Sequence, residues 1–442
     1  MRKTVWIESL GCPKNDVDGE TMQSRLVREG YKITPDQDQA DILILNTCGF
    51  IQSAKEESIE KILQLIALKK QDQRKKIVVC GCLAQRYPKE LRKELPEVDA
   101  FLGISKIDEV TSVCSAVLTG ERVFRVGRPA RSNGQEEVGR LKQRVPYAYI
   151  KIADGCDNRC TYCSIPSIRG RFRSRRTENL LDEAAQLSEE GVKEVILVAQ
   201  DTTLYGVDLY GEKRLPQLLS SLSGIRGIRW IRLLYAHPAH LSDELIDQMA
   251  SNPKVCRYVD LPLQHISDEI LSRMNRKVTR EKVEQLIFRL REKIPDLTLR
   301  TSFIVGFPGE RKEHFEELVR FVEQIRFDRL GAFPYSREEG TKAYSFAGQL
   351  SSRQKQERLD QLMLTQQRIA FEKNETKIGK TFDVLIDNES EARQGLLVGR
   401  SQAEAPEVDG VILVKGNQPN AGRFAKVKIT DVCDYDLMGQ EV

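Results

Sequence analysis

The chain has 442 residues, 40% of them hydrophobic and 30% charged, with a formal net charge of +4. That balance excludes a disordered or fibrous protein, and the length exceeds what one ordinary core holds, so two or three domains are expected. No run approaches the roughly 20 apolar residues of a membrane span and Met1 to Cys12 carries no signal-peptide pattern, so a cytoplasmic location without a membrane partner is expected.

Residues 2–120 alternate Ile- and Val-rich runs with helical spacing. Residues 4–10, 41–47 and 76–81 read as parallel strands, with helices over 18–29 and 54–68 between them. Strand–helix alternation predicts a parallel sheet with right-handed crossovers. Residues 121–143 are rich in Arg, Gly and Gln without periodicity and read as a linker. Over 144–374, strands are expected at 147–153, 194–200, 228–236, 257–263, 297–307 and 328–336, each separated by a helical pattern. Six such units predict a partial (β/α)6 barrel, shorter than the eight-unit form, closed by a long helix over 351–374. Residues 375–442 differ: 381–388, 395–401, 410–416 and 425–432 are short strands joined by Gly, Asn and Pro turns, which predicts a small antiparallel β-barrel.

Ten cysteines in a reducing compartment call for an explanation other than disulfides. Cys156, Cys160 and Cys163 lie in one loop just after a predicted strand, at C-x3-C and C-x2-C spacing. A structural zinc almost always takes four protein ligands, and no further Cys or His is near. Three thiolates suit a [4Fe–4S] cluster with one iron left open; a zinc site completed from a distant residue is the alternative. Cys12, Cys48 and Cys82 each sit just past the carboxyl end of a strand in the first sheet, the edge where open α/β sheets bind ligands. They are placed to converge on a second [4Fe–4S] cluster. Cys80, Cys114, Cys256 and Cys433 lie in apolar patterns and read as small buried hydrophobes.

The run Cys156-Asp-Asn-Arg-Cys160-Thr-Tyr-Cys163 resembles the radical-SAM signature C-x3-C-x-aromatic-C, with Tyr162 as the aromatic residue. Leu10-Gly-Cys-Pro-Lys-Asn15, Ile44-Leu-Asn-Thr-Cys-Gly-Phe-Ile51 and Cys80-Gly-Cys-Leu-Ala-Gln-Arg86 look like the amino-terminal domain of methylthiotransferases. The resemblance extends to a TRAM barrel at the carboxyl end. It implies two [4Fe–4S] clusters and S-adenosyl-L-methionine (SAM), bound at the open iron of the central cluster and cleaved to a deoxyadenosyl radical. It implies cluster chemistry rather than a side-chain acid or base. The SAM site would be lined from the barrel's strand ends by Tyr162, Gln200, Gln264, Arg300, Val305 and Gly306, with the strand around Val305 against the adenine. Gly306-Phe-Pro-Gly309 is also simply a good turn, and His265 is equally well read as structural.

Gly11-Cys-Pro-Lys-Asn15 and Ala199-Gln-Asp-Thr-Thr-Leu-Tyr-Gly-Val-Asp208 are similar to the branch of the family that modifies an aspartate of ribosomal protein S-twelve; the tRNA branch usually has a Gln-Met-Asn form at the first. Gly19 departs from the Ser usual in the family. The implied partners are that ribosomal protein, free or within the small subunit, and an electron donor such as flavodoxin or ferredoxin. Charge supports a protein substrate. TRAM domains usually read as RNA-binding, which draws on Lys and Arg, yet from Glu375 onward there are 12 acidic and 8 basic residues, a net −4 that leaves +8 on the rest. An acidic domain attracts a basic protein and repels tRNA. Glu404, Glu407 and Asp409, with Asp383, Asp387, Glu389 and Glu391, are therefore expected on solvated turns, where they bind the substrate. Two rivals stand beside this reading: a tRNA methylthiotransferase, marked by a basic last domain, and a non-catalytic ribosome- or RNA-binding protein, marked by lost cluster cysteines. The basic run Arg169, Arg171, Arg173, Arg175 and Arg176 reads equally as a solvated helix start or as a holder of SAM carboxylate, rRNA or substrate.

Overall fold

The structure, a computed structural model, describes residues 3–129, 140, 145–390, 393, 395–416 and 420–442. Its first unit is a six-stranded parallel sheet of β1 (Thr4–Ser9), β2 (Lys32–Ile33), β3 (Ile42–Thr47), β4 (Lys76–Gly81), β5 (Ala100–Gly103) and β6 (Val123–Arg125), in the order β2-β1-β3-β4-β5-β6. Strand alternation explains the two layers around it. Ile42 and Ile44 pack with Met22 and Leu26 of the helix Pro13–Arg28, while Leu43 and Leu45 pack with Ile62 and Leu65 of the helix Gln52–Gln71. Each such fully buried side chain contributes about 1.5–3 kcal/mol. β6 falls inside the expected linker and pairs with β5; a three-residue edge strand carries too little periodicity to read from sequence. Residues 130–139 and 141–143 of that linker lie outside the described residues.

The second unit carries the six expected parallel strands in two three-stranded sheets. β7 (Tyr147–Lys151) is followed by a short antiparallel pair, β8 (Ala153–Asp154) and β9 (Arg173–Ser174), which brackets the central cysteine loop. Then come β10 (Glu194–Val198), β11 (Trp230–Leu233), β12 (Tyr258–Asp260), β13 (Thr298–Val305) and β14 (Arg329–Pro334), ordered β11-β10-β7 and β12-β13-β14. A parallel bridge between Ile231 and Val255 links the halves. The closing helix Ser352–Glu375 starts at a capping box formed by Ser351 and Gln354. Among the described residues no helix is long and apolar enough to cross a membrane.

The third unit is a closed five-stranded barrel, β15 (Thr381–Glu389), β16 (Leu397–Arg400), β17 (Ile412–Lys415), β18 (Phe424–Cys433) and β19 (Asp436–Glu441). Four strands were expected, all antiparallel. The fifth, Asp-Leu-Met-Gly-Gln-Glu, has too few β-formers to show in the sequence, and it pairs in parallel with β17.

This small barrel is seated on the amino-terminal ends of the larger barrel's strands. Tyr147, Glu194, Trp230, Tyr258 and Arg329 are each the first residue of a strand, and each contacts it. The contact corrects the expected role of its carboxylates. Glu404 is 1% exposed and accepts from Arg329 at 3.0 Å and from Ser401. Asp409 accepts from Tyr258 Oη at 2.6 Å and lies 3.5 Å from Arg300. Glu407 sits on an exposed turn but accepts from Tyr147 and Tyr149. Buried Asp387 grips Arg400, which also meets Glu194 at 2.6 Å. None of these four is a free, steering charge: Glu404 and Asp409 face Arg329 and Arg300 of the larger barrel, Asp387 faces Arg400 of its own unit, and Glu407 meets two tyrosines. Turn chemistry shows where a loop lies, not what covers it. Asp383 and Glu389 are exposed, and Glu391 lies outside the described residues. Arg300 is corrected with them. It is the third residue of β13, paired with Asp260 at 2.8 Å and with Asp409, at the base of the barrel rather than at the strand ends.

Candidate functional site

The central cysteine loop is held from three sides. Cys156 N donates to Gly170 O. Asn158 donates to Asp201 Oδ2 at 2.8 Å, an oxygen also 2.8 Å from His240 Nδ1, while Thr203 Oγ1 donates to Asp201 Oδ1. Asn275 donates to Arg159 O, and Thr161 N to Met274 O. Arg276 directs an N–H at Cys160 Sγ over 3.7 Å. The loop borders a cavity of about 500 Å³, lined by Cys156, Asp157, Asn158 and Arg171 among others. Burial, with Asp201 and Cys160 adding to it against the Asn158 amide, pushes the Cys156 thiol up to about 12. Burial and Cys160 push Cys163 higher still. Thiols in such a place ionise only beside a cation, and a soft three-sulfur set fits an iron–sulfur cluster.

Of the expected SAM-site residues, Tyr162 packs beside Ile270, Met274 and Phe307. Gln264, at φ 73°, bridges to β13 through Ser302 O and Ile304 N. Gln200 donates to Asp154 at 3.3 Å, and its Oε1 is buried without a hydrogen-bond partner among the described residues. Gly306 N donates to Glu310. Val305 is corrected: its side chain is fully buried in the core shared with the outer helices. Strand alternation turns Ile304 the other way, onto the cluster of Phe307 and Tyr335 that Tyr162 also packs against. His265 is buried, accepts from Ser267 N, has its Nε2 3.7 Å from Glu310, and is pulled down to about 3 mainly by burial.

Cys12, Cys48 and Cys82 follow β1, β3 and β4, and the sheet order reverses between β1 and β3, where such sheets hold ligands. A Cβ at Gly11 would stand 2.8 Å from Cys48 Sγ, so the first two loops touch. Cys82 Sγ lies 3.8 Å from Asn15 Oδ1. Burial raises Cys82 to about 11, with Cys12 and Cys48 adding to it and Arg169 opposing; burial likewise raises Cys48. Cys80 alternates into the sheet core, and Cys114 and Cys256 are buried as expected. Cys433 is not: it is half-buried at the end of β18, within 3.4 Å of Arg393. Ser9 Oγ occupies the space a side chain at Gly19 would need.

One buried arginine links the surroundings of the two triads across the domain boundary. Arg169, 1% exposed, ends the helix that follows the central cysteines and donates to Asn15 at 2.7 Å, Asp18 at 3.1 Å and Asp154 at 3.1 Å. Its charge acts on Cys82 and Cys12. Lys151 pairs with Asp18 and Asp154. The ammonium of Lys14 lies 3.6 Å above the Tyr235 ring. Glu338 of the barrel takes Lys55 and Arg86 of the first domain at 2.9 and 2.8 Å. In the basic run, Arg173 is buried near Asp154 and Arg175 pairs with Glu183, while Arg171 and Arg176 are exposed. Sequence reading passed over Lys14, Asn15, Asp154 and His240. Lys14 and Asn15 stood inside the Gly11–Asn15 motif, and His237-Pro-Ala-His240, just after β11, was a local signal for His240.

Residues 4–103 match the uncharacterized protein family UPF0004, residues 150–322 the radical SAM superfamily and residues 378–442 the TRAM domain. The chain is 50% identical over 438 residues, 99% of it and 95% of the relative, to a ribosomal protein uS12 methylthiotransferase RimO of Heliobacterium modesticaldum. It is 47% identical to the protein of that name from Geobacter sulfurreducens, over 99% of this chain and 98% of the relative. Its fold resembles the radical SAM methyltransferase TsrM of Kitasatospora setae, at TM-score 0.58 and 16% identity over 78% of this chain and 77% of that one. Membership of the superfamily brings SAM and a [4Fe–4S] cluster. The chain belongs to the radical-SAM methylthiotransferase family whose members carry the name ribosomal protein uS12 methylthiotransferase RimO.

Proposed function

We propose that the protein transfers a methylthio group to the β-carbon of an aspartate in ribosomal protein uS12. In this reading Cys156, Cys160 and Cys163 hold the cluster that binds SAM, and Cys12, Cys48 and Cys82 hold a second [4Fe–4S] cluster. The observation that carries it is Arg169, which ends the helix after the central cysteines, ties Asp154 of the barrel to Asn15 and Asp18 of the first domain, and feels the charge of Cys82 and Cys12. When bound, clusters and SAM supply the radical and the methylated sulfur that an unactivated carbon requires. The chain's own residues position. Asn158 and Asp201 fix the central loop, Arg276 sets an N–H on Cys160, and Arg169 ties Asn15 and Asp18 of one domain to Asp154 of the other. Tyr162, Gln200, Gln264 and Gly306 are the nearest candidates for contact with SAM, with Ile304 in place of Val305.

The same reading divides the chain into a cluster domain reaching to Arg125, a barrel domain at 144–374 and the TRAM domain at 375–442. A flavodoxin- or ferredoxin-class protein supplies electrons, and the cytoplasm, where the ribosomal protein is found, is the location. The protein substrate now rests on the named relatives and the first-domain motif, since the carboxylates that supported it by charge are largely engaged at the domain junction. Mass spectrometry of uS12 and of bulk tRNA from cells with and without the gene tests it. The modification should vanish from uS12 and leave tRNA unchanged; loss from tRNA instead would overturn it.

A further inference from the structure

Lys14 differs from four other cations at the junction of the first two domains. Lys151, Arg140, Arg169 and Arg175 each pair with a carboxylate. Lys14 is only 8% exposed, yet among the described residues no carboxylate pairs with it. Its ammonium lies over the ring of Tyr235, 3.6 Å from the centroid. A cation–π contact returns about 0.5–2 kcal/mol, whereas burying a lone ion costs several kcal/mol. Burial opposes the charge, but Tyr235 and the Cys12 sulfur outweigh it and hold Lys14 above its ordinary value, so the side chain is an ammonium to which an anion can add.

Its location says which anion. Lys14 is two residues beyond Cys12. Tyr235 lies just past the carboxyl end of β11, beside the barrel interior where Leu234, Val198 and Val17 pack. The ammonium therefore stands between the amino-terminal triad and the barrel mouth. The proposed reaction brings a β-carbon to that gap, with a carboxylate one bond away. We infer that Lys14 receives the carboxylate of the target aspartate and thereby selects aspartate over its neutral isostere, an inference that rests on the proposed function. The ammonium gives a charge-assisted hydrogen bond to a carboxylate that an amide cannot match, and Tyr235 holds the long side chain in place. No proton or bond changes at Lys14, so it is a specificity-determining contact.

The test uses reconstituted enzyme with its iron content measured, loaded with SAM, and titrated with purified ribosomal protein uS12 carrying either the target Asp or Asn. The unmodified enzyme should bind the Asp form roughly tenfold or more tightly. Lys14→Met should bind both forms alike, near the level of the Asn form, and Lys14→Arg should keep most of the preference. A preference intact in Lys14→Met overturns the inference. So does a loss of SAM affinity with the preference unchanged, which would give the ammonium to the carboxylate of SAM. A fall in iron content in both variants also overturns it, by making Lys14 a support of the cluster. Failure of the unmodified enzyme to methylthiolate uS12 would instead sink the proposed function, an outcome distinct from all of these.

Discussion

The two ends of the large barrel are built from the same kinds of residue and do opposite things. At the base, Arg400, Asp387, Glu194, Arg232, Arg329 and Glu404 form a buried network in which each charge faces an opposite one within about 3 Å. At the mouth, Cys48, Cys82, Cys156 and Cys163 are raised by burial, and among the described residues one ammonium, that of Lys14, stands without a carboxylate. Completed pairing rigidifies a junction; incomplete pairing is what a ligand completes. Burial and charge alone do not separate structure from function here. The state of the partners does.

The largest effects that would sharpen this contrast lie at the mouth. Cys156→Ala, Cys160→Ala and Cys163→Ala combined should abolish reductive SAM cleavage and remove about half of the iron, read by anaerobic iron analysis; zinc in the intact protein would break the assignment. Removing Cys12, Cys48 and Cys82 should likewise leave one cluster. That variant should still cleave SAM but form no methylthio product. Product at the ordinary rate would reduce the amino-terminal triad to a structural feature.

Those two triads were not equally legible. The central one occupies eight residues, so spacing alone announces it. The amino-terminal one spans residues 12 to 82 and becomes visible only when β1, β3 and β4 are read as parallel neighbours. Strand alternation in a fully buried sheet showed that reading, and it also placed Cys80 in the core. What the sequence hid was long-range pairing. Nothing local tells Glu404 that Arg329, 75 residues earlier, will cover it, or Lys14 that Tyr235 will. Val305 shows a finer failure: the strand was read correctly, but a shift of one residue turns a side chain from the interior to the helices.

At the base, breaking a pair should cost stability without touching the chemistry of the mouth. Arg400→Met leaves Asp387 and one oxygen of Glu194 buried without their cation, and such a loss typically costs about 3–5 kcal/mol. Chemical denaturation should show the loss, with iron content unchanged. Acid attacks the same end. Burial raises Glu404, but Lys377, Arg329 and Ser401 outweigh it and hold it below its ordinary 4.5. Glu194 is held down likewise, burial being outweighed by Arg232 and Arg400. Groups depressed in the folded state contribute stability above their unfolded value, and that stability is lost as pH falls through the folded value. The seat of the small barrel should therefore weaken below about pH 4.5, seen as a falling unfolding midpoint, and Glu404→Gln should flatten that fall.

The smallest expected effect belongs to the outer face of the same small barrel, and it tests whether pairing without burial counts for anything there. Asp383 and Lys426 lie 3.0 Å apart on neighbouring strands, with side chains 51% and 63% exposed. The geometry is as good as that of Glu404 and Arg329, also 3.0 Å apart, whose side chains are 1% and 7% exposed. Solvent screens the outer pair, and the long Lys426 side chain loses freedom in making it, so its removal should cost at most about 1 kcal/mol. Asp383→Asn should leave the unfolding midpoint nearly unmoved, whereas Glu404→Gln at neutral pH should lower it clearly. Equal shifts would mean that distance, and not burial, sets the worth of these pairs. The outer carboxylate has one further property that the inner one lacks: it is exposed enough to meet a basic protein. A salt-dependent weakening of uS12 binding in Asp383→Lys, with folding intact, would show that the steering charge expected of this domain survives on its exposed strands.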